Sequence, residues 1–378
     1  MALSVLLVLA LFCFPSPCFA QNGVTLGLDV PLTGTAADIG HYLLWGAEIA
    51  VDEANAEGGA LGKPIRLSVQ DDEMDPAKAA GNVARFITED HVAVVLGPAN
   101  SGNALAMIPL LQQARTPIML LTASATKLTA LYANEPKNYV FRATLPDREQ
   151  VDALIKWAAG RYTRIAIACD TSAYAQLGKQ DMLEAMRLHG LKPVTIVEFD
   201  PGDLDLKTQA RQLQASPAEA VAVISLGQEV ADLVRSADAI GYHPQFIGQY
   251  PFFLQPVKEL PNRLSNGLTG LLSSTPDDSG KAREINAIIR EKHLPQGYYP
   301  FKFVEAAYEG TKLAIQAIRA AGSENGEAVR DALENTPRFE GVSRVFVKPF
   351  DKTRHELYKA DNLFMGSWKE GAVYRLNN

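Results

Sequence analysis

Two short apolar runs separated by one helix-length segment constrain the fold of this chain most strongly. Residues 92–96 and 118–121 are continuous runs of β-branched and aliphatic side chains, with the length and composition typical of buried strands. Residues 103–114, which lie between them, carry apolar side chains at helical spacing. A strand, a helix and a second strand in this order predict a βαβ unit with parallel strands.

Both predicted strands lead into short turns that contain hydroxyl groups. Asn100 and Ser101 follow the first strand, and Ser124, Ala125 and Thr126 follow the second. Because the carboxyl ends of adjacent parallel strands lie side by side, the two turns should meet at one sheet edge. Each turn leads toward a helix, whose first N–H groups are unpaired and carry the positive end of the helix dipole. The pattern predicts a neutral cradle for a small anion such as a carboxylate.

The same hydroxyl residues also fit a purely structural role. Ser and Thr commonly cap helices and form turns, and either residue alone would be interpreted in that way. Two such turns that converge on adjacent strand ends favour a binding site.

Strand-like and helix-like segments alternate along most of the chain. A first run contains, besides the unit above, strands at 24–30 and 65–71 and helices at 40–57 and 75–89. A second run contains helices at 147–159, 174–189, 206–214 and 229–240 and strands at 164–168, 194–199, 220–224 and 245–247. Two runs predict an α/β fold with two parallel sheets, each forming a lobe with helices on both faces. The helix predicted at 300–321 comes too late to extend the second sheet, so we expect the chain to return to the first lobe.

Residues 1–20 are typical of a secretory signal peptide. Residues 2–14 form an apolar run too short to span a bilayer, and the segment after it ends in Ala20, a small residue. Pro15 and Pro17 would break a core helix at this place. We expect cleavage after Ala20 and a free soluble protein, with lipidation at Cys18 as the alternative.

Composition limits the partners of the mature chain. Of the 3 cysteines, Cys13 and Cys18 lie in the leader, so Cys169 remains alone and no internal disulfide forms. A lone thiol after a strand is usually a small buried apolar residue. The net charge of -7 argues against nucleic acid as a partner.

The usual signatures of catalysis are missing from the sequence. The segment GGALGK at 58–63 lacks the spacing and the preceding strand of a phosphate loop. The acidic cluster at 71–75 lacks the spacing of a calcium loop, and no pair of histidines has zinc-ligand spacing. We therefore expect no metal, no cofactor and no catalytic residue. A secreted α/β enzyme is the alternative from a different class.

The chain contains, in this order, VTLGLDVPLTGTAADIG, GAEIAVDEANAEGGALGKPI, QDDEMDPAKA, VVLGPANSG, TPIMLLTASAT, YVFRATLPD, IAIACDTSAYAQLG and FIGQY. In order and spacing these segments resemble the periplasmic binding proteins of the Leu/Ile/Val type, and the resemblance extends over essentially the whole mature chain. It implies a periplasmic, monomeric solute receptor of an ABC importer for branched-chain amino acids and related compounds. Its partner would be the permease and ATPase complex of the inner membrane.

The resemblance also implies two doubly wound parallel-sheet lobes that are joined by three crossovers and close on a ligand by hinge motion. The crossovers are expected near residues 142–147, 273–277 and 346–351. The lobes would be discontinuous: residues 21–143 and 276–348 form the first, and 144–275 and 349–378 form the second.

Several site residues follow from the same resemblance. Ser101 matches the serine that binds the ligand carboxylate in this family. Tyr174 matches the second-lobe aromatic residue that closes over the ligand, and Gln228 falls near another second-lobe contact. The strand-end triplet that completes the carboxylate and ammonium contacts is matched by Ser124, Ala125 and Thr126.

The chain departs from the family pattern at three places. Where an acidic residue usually pairs with the ligand's α-ammonium group, this chain has Gln249 and Tyr250. Ile39 occupies a first-lobe position that is often tyrosine. Met74 and Asn100 replace a cysteine pair that bridges two first-lobe loops in some members.

The missing acidic residue bears most directly on the ligand. A buried ammonium group without a charged partner costs roughly 1 to 3 kcal/mol or more. Tyr250, Phe252 and Phe253 are available for an aromatic-rich pocket, although core packing is the usual role of the phenylalanines. We therefore expect a small carboxylate with an aromatic or other apolar tail, with a branched-chain amino acid as the alternative.

Overall fold

The computed structural model describes residues 23–376, and the predicted leader at 1–20 lies outside the described residues. The strands are β1 (Val24–Val30), β2 (Ile65–Asp71), β3 (Val94–Leu96), β4 (Ile118–Leu120), β5 (Val140–Arg142), β6 (Ile165–Asp170), β7 (Ile196–Phe199), β8 (Ala220–Ile224), β9 (Gln245–Gly248), β10 (Thr269–Leu272), β11 (Arg338–Glu340), β12 (Val345–Val347), β13 (Phe364–Lys369) and β14 (Ala372–Arg375). The α-helices are α1 (Ala37–Ala56), α2 (Pro76–Thr88), α3 (Ser101–Ala114), α4 (Asp147–Ala159), α5 (Ala173–Leu188), α6 (Lys207–Ala215), α7 (Gly227–Ala239), α8 (Gln255–Lys258), α9 (Asn262–Ser265), α10 (Gly280–Lys292), α11 (Phe301–Ala321) and α12 (Gly326–Glu334).

The first lobe is built on a five-stranded, fully parallel sheet in the order β2-β1-β3-β4-β5. All residues of β3, β4 and β5 are buried, as expected for strands that helices cover on both faces. Leu96 of β3 pairs with Met119 of β4, so the carboxyl ends of these strands lie side by side. The predicted βαβ unit is confirmed, and the turns that follow the two strands meet at one sheet edge.

The second lobe is built on a seven-stranded sheet in the order β14-β13-β10-β9-β8-β6-β7. The strands from β10 to β7 are parallel, whereas β13 pairs antiparallel with β10 and β14 pairs antiparallel with β13. Glu370 and Gly371, both with positive φ, form the tight turn that makes β13 and β14 a hairpin. The predicted α/β fold with two lobes is confirmed, and the sheet gains an antiparallel edge that the sequence analysis did not include.

Helix α11 returns to the first lobe, as the sequence analysis predicted. It packs along α1 and contacts β3 and β4. The two helices approach closely at Gly46, where an added Cβ would lie 2.3 Å from the carbonyl oxygen of Val304. This packing brings the first turn of α11, with Lys302 and Phe303, to the space between the lobes.

The helices that border this space begin at side-chain caps. Helix α3 begins at Ser101, two residues before the predicted start, because Asn100 Oδ1 accepts a hydrogen bond from the Asn103 amide at 2.9 Å. Helix α5 begins after Ser172, whose Oγ accepts a hydrogen bond from the Ala175 amide at 3.2 Å. Each cap accepts a hydrogen bond from one amide group. The other amide groups in the first turn of each helix have no acceptor within the helix.

The two lobes contact each other along α3 and α5. Leu177 of α5 packs against the first-lobe core cluster that contains Ala104 and Leu128. The two lobes are therefore in direct contact at these helices. The boundaries of the lobes at residues 143, 275 and 348 stay predictions.

Arg142, at the end of β5, is fully buried and holds the turn that follows β4. Its guanidinium group donates to the carbonyl oxygens of Ser124 at 2.5 Å and of Ala125 at 3.1 Å. Glu356 Oε1 lies 3.8 Å from the guanidinium group and accepts a hydrogen bond from Thr129 Oγ1 at 3.0 Å. Burial lowers the pKa of Arg142 to about 10 and Glu356 opposes this effect, so the group stays charged at neutral pH.

Two buried carboxyl groups lie at the other side of the same sheet. Asp29 of β1 and Asp72, which follows β2, are fully buried, and the Oδ2 atom of each lacks a hydrogen-bond donor among the described residues. Burial and then the charge of Asp72 raise the pKa of Asp29 from 3.8 to about 8, and burial also raises the pKa of Asp72. We therefore expect the two groups to share a single proton, which would supply the missing donor.

Arg142→Met should destabilise the folded protein, because it leaves buried Glu356 without this charge and two carbonyl oxygens without their donor. We expect the free energy of unfolding, measured by urea denaturation, to fall by about 3–5 kcal/mol. Arg148→Met is the matched control, because half-exposed Arg148 contacts the same carboxylate at 2.7 Å; it should cost about 1 kcal/mol or less. Equal losses in the two variants would contradict this role of Arg142.

Asp29→Asn should reduce the dependence of stability on pH. The folded wild type keeps a proton that the unfolded chain releases, so its stability falls as pH rises from about 4 to about 8. The variant needs no such proton, and the fall in unfolding free energy between pH 5 and pH 8 should shrink by about 1–3 kcal/mol. Asp52→Asn, at an exposed position of α1, should keep the wild-type profile. An unchanged slope in Asp29→Asn would exclude the shared proton.

Candidate ligand-binding cleft

Three adjoining cavities lie where the two lobes meet. The inner pocket is bordered by Ser101 and Ser124 of the first lobe. It shares Ile39, Asn100, Tyr174, Leu226 and Leu254 with a second cavity, the acidic cleft, which contains Asp38, Asp170 and Glu229. It shares Tyr250, Lys302 and Phe303 with a third cavity, which contains Ser274 and Asp277. We call it the hinge-side cavity after the predicted crossover at residues 273–277. The inner pocket therefore lies between the other two.

Ser101 is fully buried and its hydroxyl group faces the turn after β4. Its Oγ accepts a hydrogen bond from the Ala125 amide at 3.2 Å. Because a hydroxyl group also has one O–H donor, Ser101 keeps that donor for a group in the inner pocket. Ser101 is also the first residue of α3, where the helix dipole favours a negative charge.

The turn after β4 presents Ser124 to the inner pocket but not the two residues that follow. Ala125 and Thr126 are absent from the described residues that line the pocket. The Thr126 hydroxyl group donates to Asp181 Oδ2 of α5 at 2.6 Å and accepts from the Arg148 amide at 2.9 Å. The Thr126 hydroxyl group therefore links the two lobes. A contact between Thr126 and a bound ligand remains an untested prediction.

Tyr174 covers the inner pocket from the second lobe, at the first turn of α5. Its hydroxyl group donates to Gln249 Oε1 at 3.3 Å. Gln249 in turn donates to Asp147 Oδ1 at 3.0 Å and to Gln150 Oε1 at 3.1 Å. Gln249 is thus part of a buried network that holds Tyr174 in place, whereas its neighbour Tyr250 borders the pocket.

The remaining predicted residues lie around this space. Ile39 borders both the inner pocket and the acidic cleft. Asn100 borders the same two cavities, and its Nδ2 contacts Met74 Sδ at 3.2 Å, so the pair that replaces a cysteine bridge is in contact. Gln228 lines the acidic cleft and donates to Asp232 Oδ2 at 2.8 Å.

Charged groups are unevenly distributed between the cavities. Among the described residues that line the inner pocket none is acidic, and Lys302 is the one cation. The acidic cleft has three carboxylates and, among its described lining residues, no cation. Burial raises the pKa of Asp38 and of Glu229. An anion is therefore better accommodated in the inner pocket than in the acidic cleft.

Lys302, Phe303 and Gln150 also line the inner pocket, and none of the three was predicted from the sequence. Lys302 and Phe303 lie in the first turn of α11, which the sequence placed only as a helix that returns to the first lobe. The sequence does contain a signal for this turn: in residues 301–304 a lysine stands among apolar residues, which indicates a buried cation. Gln150 lies one turn into α4 and is buried.

The described part of the chain was also compared with the requirements of a metal site, a membrane span and a reactive thiol. Within residues 23–376, no group of three or more His, Cys, Asp or Glu side chains is arranged to hold a metal ion. No helix in the same range is long and apolar enough to cross a membrane. Cys169 is buried, and burial raises the pKa of its thiol to about 12, as expected of an unreactive core cysteine.

Known proteins with a similar sequence or fold agree with this architecture. The Leu/Ile/Val-binding protein BraC3 of Rhizobium johnstonii is 26% identical over 320 residues, which are 84% of each chain. A branched-chain amino acid transporter substrate-binding protein from Streptococcus pneumoniae, solved with isoleucine, has a TM-score of 0.82 at 24% identity, over 94% of this chain and 99% of the other. A solute-binding protein from Rhodopseudomonas palustris, solved with 4-hydroxybenzoate, has a TM-score of 0.79 at 17% identity, over 94% and 96%.

The family model described as periplasmic binding protein matches residues 23–372. The match confirms the predicted family and a binding protein rather than an enzyme, and it implies a location outside the cytoplasm. The chain belongs to the periplasmic binding protein family.

Proposed function

We propose that this protein is the receptor of an ABC importer and binds a small carboxylate with an aromatic or other apolar tail in the inner pocket. One observation carries the proposal: the described lining of that pocket combines hydroxyl groups, a helix N-terminus, aromatic rings and one lysine, without any acidic residue. A pocket of this composition favours an anion with an apolar body.

The ligand carboxylate lies at the strand ends of the first lobe in this proposal. Ser101 has an O–H donor that its contact with the Ala125 amide does not use. The first amides of α3 have no acceptor within the helix, and amides at a helix N-terminus stabilise a bound anion. Ser124 borders the same place and is fixed by the bond from Arg142 to its carbonyl oxygen.

The absence of an acidic lining residue also disfavours an α-ammonium group in the inner pocket. Tyr250 borders the pocket at the position where the family usually has an acidic residue. Its ring offers apolar area but no negative charge. A buried ammonium group would therefore keep only neutral acceptors, at a cost of roughly 1 to 3 kcal/mol.

Proteins with a similar fold have been solved with an aromatic acid and with an amino acid. The structure from Rhodopseudomonas palustris holds 4-hydroxybenzoate, an aromatic acid without an ammonium group. The structure from Streptococcus pneumoniae holds isoleucine. The composition of the inner pocket is the reason to prefer the first kind of ligand for this chain.

An amino acid receptor is the second candidate function, and the acidic cleft is the observation that favours it. Asp38, Asp170 and Glu229 border the cleft beside the inner pocket. Asp38 Oδ2 is buried without a donor among the described residues. An amino acid would satisfy this group only if its ammonium group pointed out of the inner pocket toward the cleft.

The transport role adds three further elements to the proposal. The leader at residues 1–20 would be cleaved after Ala20 to release the protein into the periplasm. The protein would act as a monomer and deliver its ligand to a permease and ATPase complex of the inner membrane. The Leu/Ile/Val-binding relatives support this role.

Ser101→Ala should weaken the binding of benzoate, because the variant lacks the hydroxyl donor at the carboxylate. We expect a loss of about 1–3 kcal/mol in binding free energy by calorimetry. Thr122→Ala is the matched control, since Thr122 also lines the inner pocket but its hydroxyl group donates to the Ala99 carbonyl oxygen at 3.1 Å. The control should keep nearly full affinity. Unchanged affinity in a folded Ser101→Ala protein would place the carboxylate elsewhere.

The class of ligand is tested by pairs of compounds that differ at the α-carbon. Leucine is compared with 4-methyl-2-oxopentanoate, and phenylalanine with phenylpyruvate, by competitive titration of protein freed of bound ligand. The 2-oxo acid of each pair should bind about tenfold or more tightly, because it brings no ammonium group. Leucine binding more tightly than every deaminated acid would favour the amino acid receptor instead.

A further inference from the structure

The hinge-side end of the inner pocket contains a polar group that the carboxylate cradle does not use. The Tyr250 hydroxyl group is buried beside Ser273 Oγ, which is also buried, and neither group has another hydrogen-bond partner among the described residues. A bond between these two hydroxyl groups uses one O–H donor and leaves the other donor without an acceptor. Buried hydroxyl groups are usually hydrogen-bonded, so a donor that is left over beside a cavity points to a ligand group as its acceptor.

Lys302 lies at the same end of the pocket. Tyr250 and Lys302 both border the inner pocket and the hinge-side cavity, and the charge of Glu305 acts on both side chains. Lys302 Nζ lies 3.3 Å from Glu305 Oε2 and 3.7 Å from the centre of the Tyr358 ring. An ammonium group has three donors, and these contacts leave one for the pocket.

Positive and negative charges nearly cancel at the hinge-side end of the inner pocket. Lys302 is paired with Glu305, whose Oε2 also accepts a hydrogen bond from Ser274 Oγ at 2.6 Å. A neutral oxygen atom would therefore satisfy the free donors without adding a charge that lacks a partner. A second carboxylate would add such a charge in a buried place.

We propose that Tyr250 and Lys302 form a subsite for a neutral oxygen, a hydroxyl or carbonyl group, at the end of the ligand opposite its carboxylate. The inference rests on the proposed function and narrows its ligand class to oxygenated acids. The carboxylate binds at Ser101 and Ser124, the apolar body lies beside Tyr174 and Phe303, and the distal oxygen accepts hydrogen bonds from Lys302 Nζ and the Tyr250 hydroxyl group.

The test compares 4-hydroxybenzoate with 4-methylbenzoate, which has a methyl group of similar size in place of the hydroxyl group. The ratio of their affinities, measured by calorimetry within each protein variant, cancels any general effect of the substitution on binding. In the wild type the hydroxyl compound should bind about tenfold more tightly. Terephthalate, which places a second carboxylate at that end, should show no gain over 4-methylbenzoate.

Tyr250→Phe should reduce the ratio to about threefold or less, and Lys302→Met should also reduce it. Tyr298→Phe is the matched control: Tyr298 lines the hinge-side cavity, but its hydroxyl group donates to the Phe253 carbonyl oxygen at 2.9 Å. It should keep the wild-type ratio. Lys302→Met removes the charged partner of buried Glu305, so thermal unfolding is used to check that this variant is folded. If the Lys302→Met protein is unstable, Tyr250→Phe alone tests the subsite.

The outcomes separate this inference from the proposed function. If both benzoates bind with equal affinity to the wild type, or if Tyr250→Phe keeps the full ratio, the subsite is excluded while a carboxylate receptor remains. If terephthalate binds more tightly than 4-hydroxybenzoate, the end takes an anion and the neutral-oxygen subsite is wrong. If leucine binds and neither benzoate does, the proposed function and the subsite both fail.

Discussion

The buried guanidinium group of Arg142 is the contact on which the binding site depends most. It holds the carbonyl oxygens of Ser124 and Ala125 and lies near Glu356, which belongs to the chain beyond β12. The turn after β4 is thereby fixed, and with it the Ala125 amide that donates to Ser101. A loop held by a buried charge is rigid, so the cradle is formed before a ligand enters and its ordering adds little to the cost of binding.

The distribution of charge around the cleft follows from the same architecture. First-lobe strand ends supply neutral donors, the acidic residues lie in the neighbouring cleft, and α11 brings Lys302 to the hinge-side end. The inner pocket is therefore suited to an anion, whereas a zwitterion must place its ammonium group toward the acidic cleft. In the proposed function, the ligand class depends on this division more than on any single residue.

The sequence was informative where local patterns and chain order determine the structure. The βαβ unit around α3 follows from two buried runs and the helix-length segment between them. The start of α3 was predicted two residues late because the cap at Asn100 was not identified, and Tyr174 was assigned from the family resemblance. The roles of Thr126 and Lys302 do not follow from local patterns, because they depend on contacts with distant segments: Asp181 on α5 for Thr126, and Glu305 and Tyr358 for Lys302. The antiparallel edge strands were missed because their pairing is set by a turn at the far end of the chain.

A crystal structure of the protein with benzoate tests the central claim most directly. We predict a carboxylate oxygen at about 3 Å from Ser101 Oγ, within hydrogen-bonding distance of the first amides of α3. The ring should lie beside Tyr174 and point toward Tyr250. A carboxylate that contacts Lys302 while the ring lies against the strand ends, or a benzoate bound in the acidic cleft, would contradict the account.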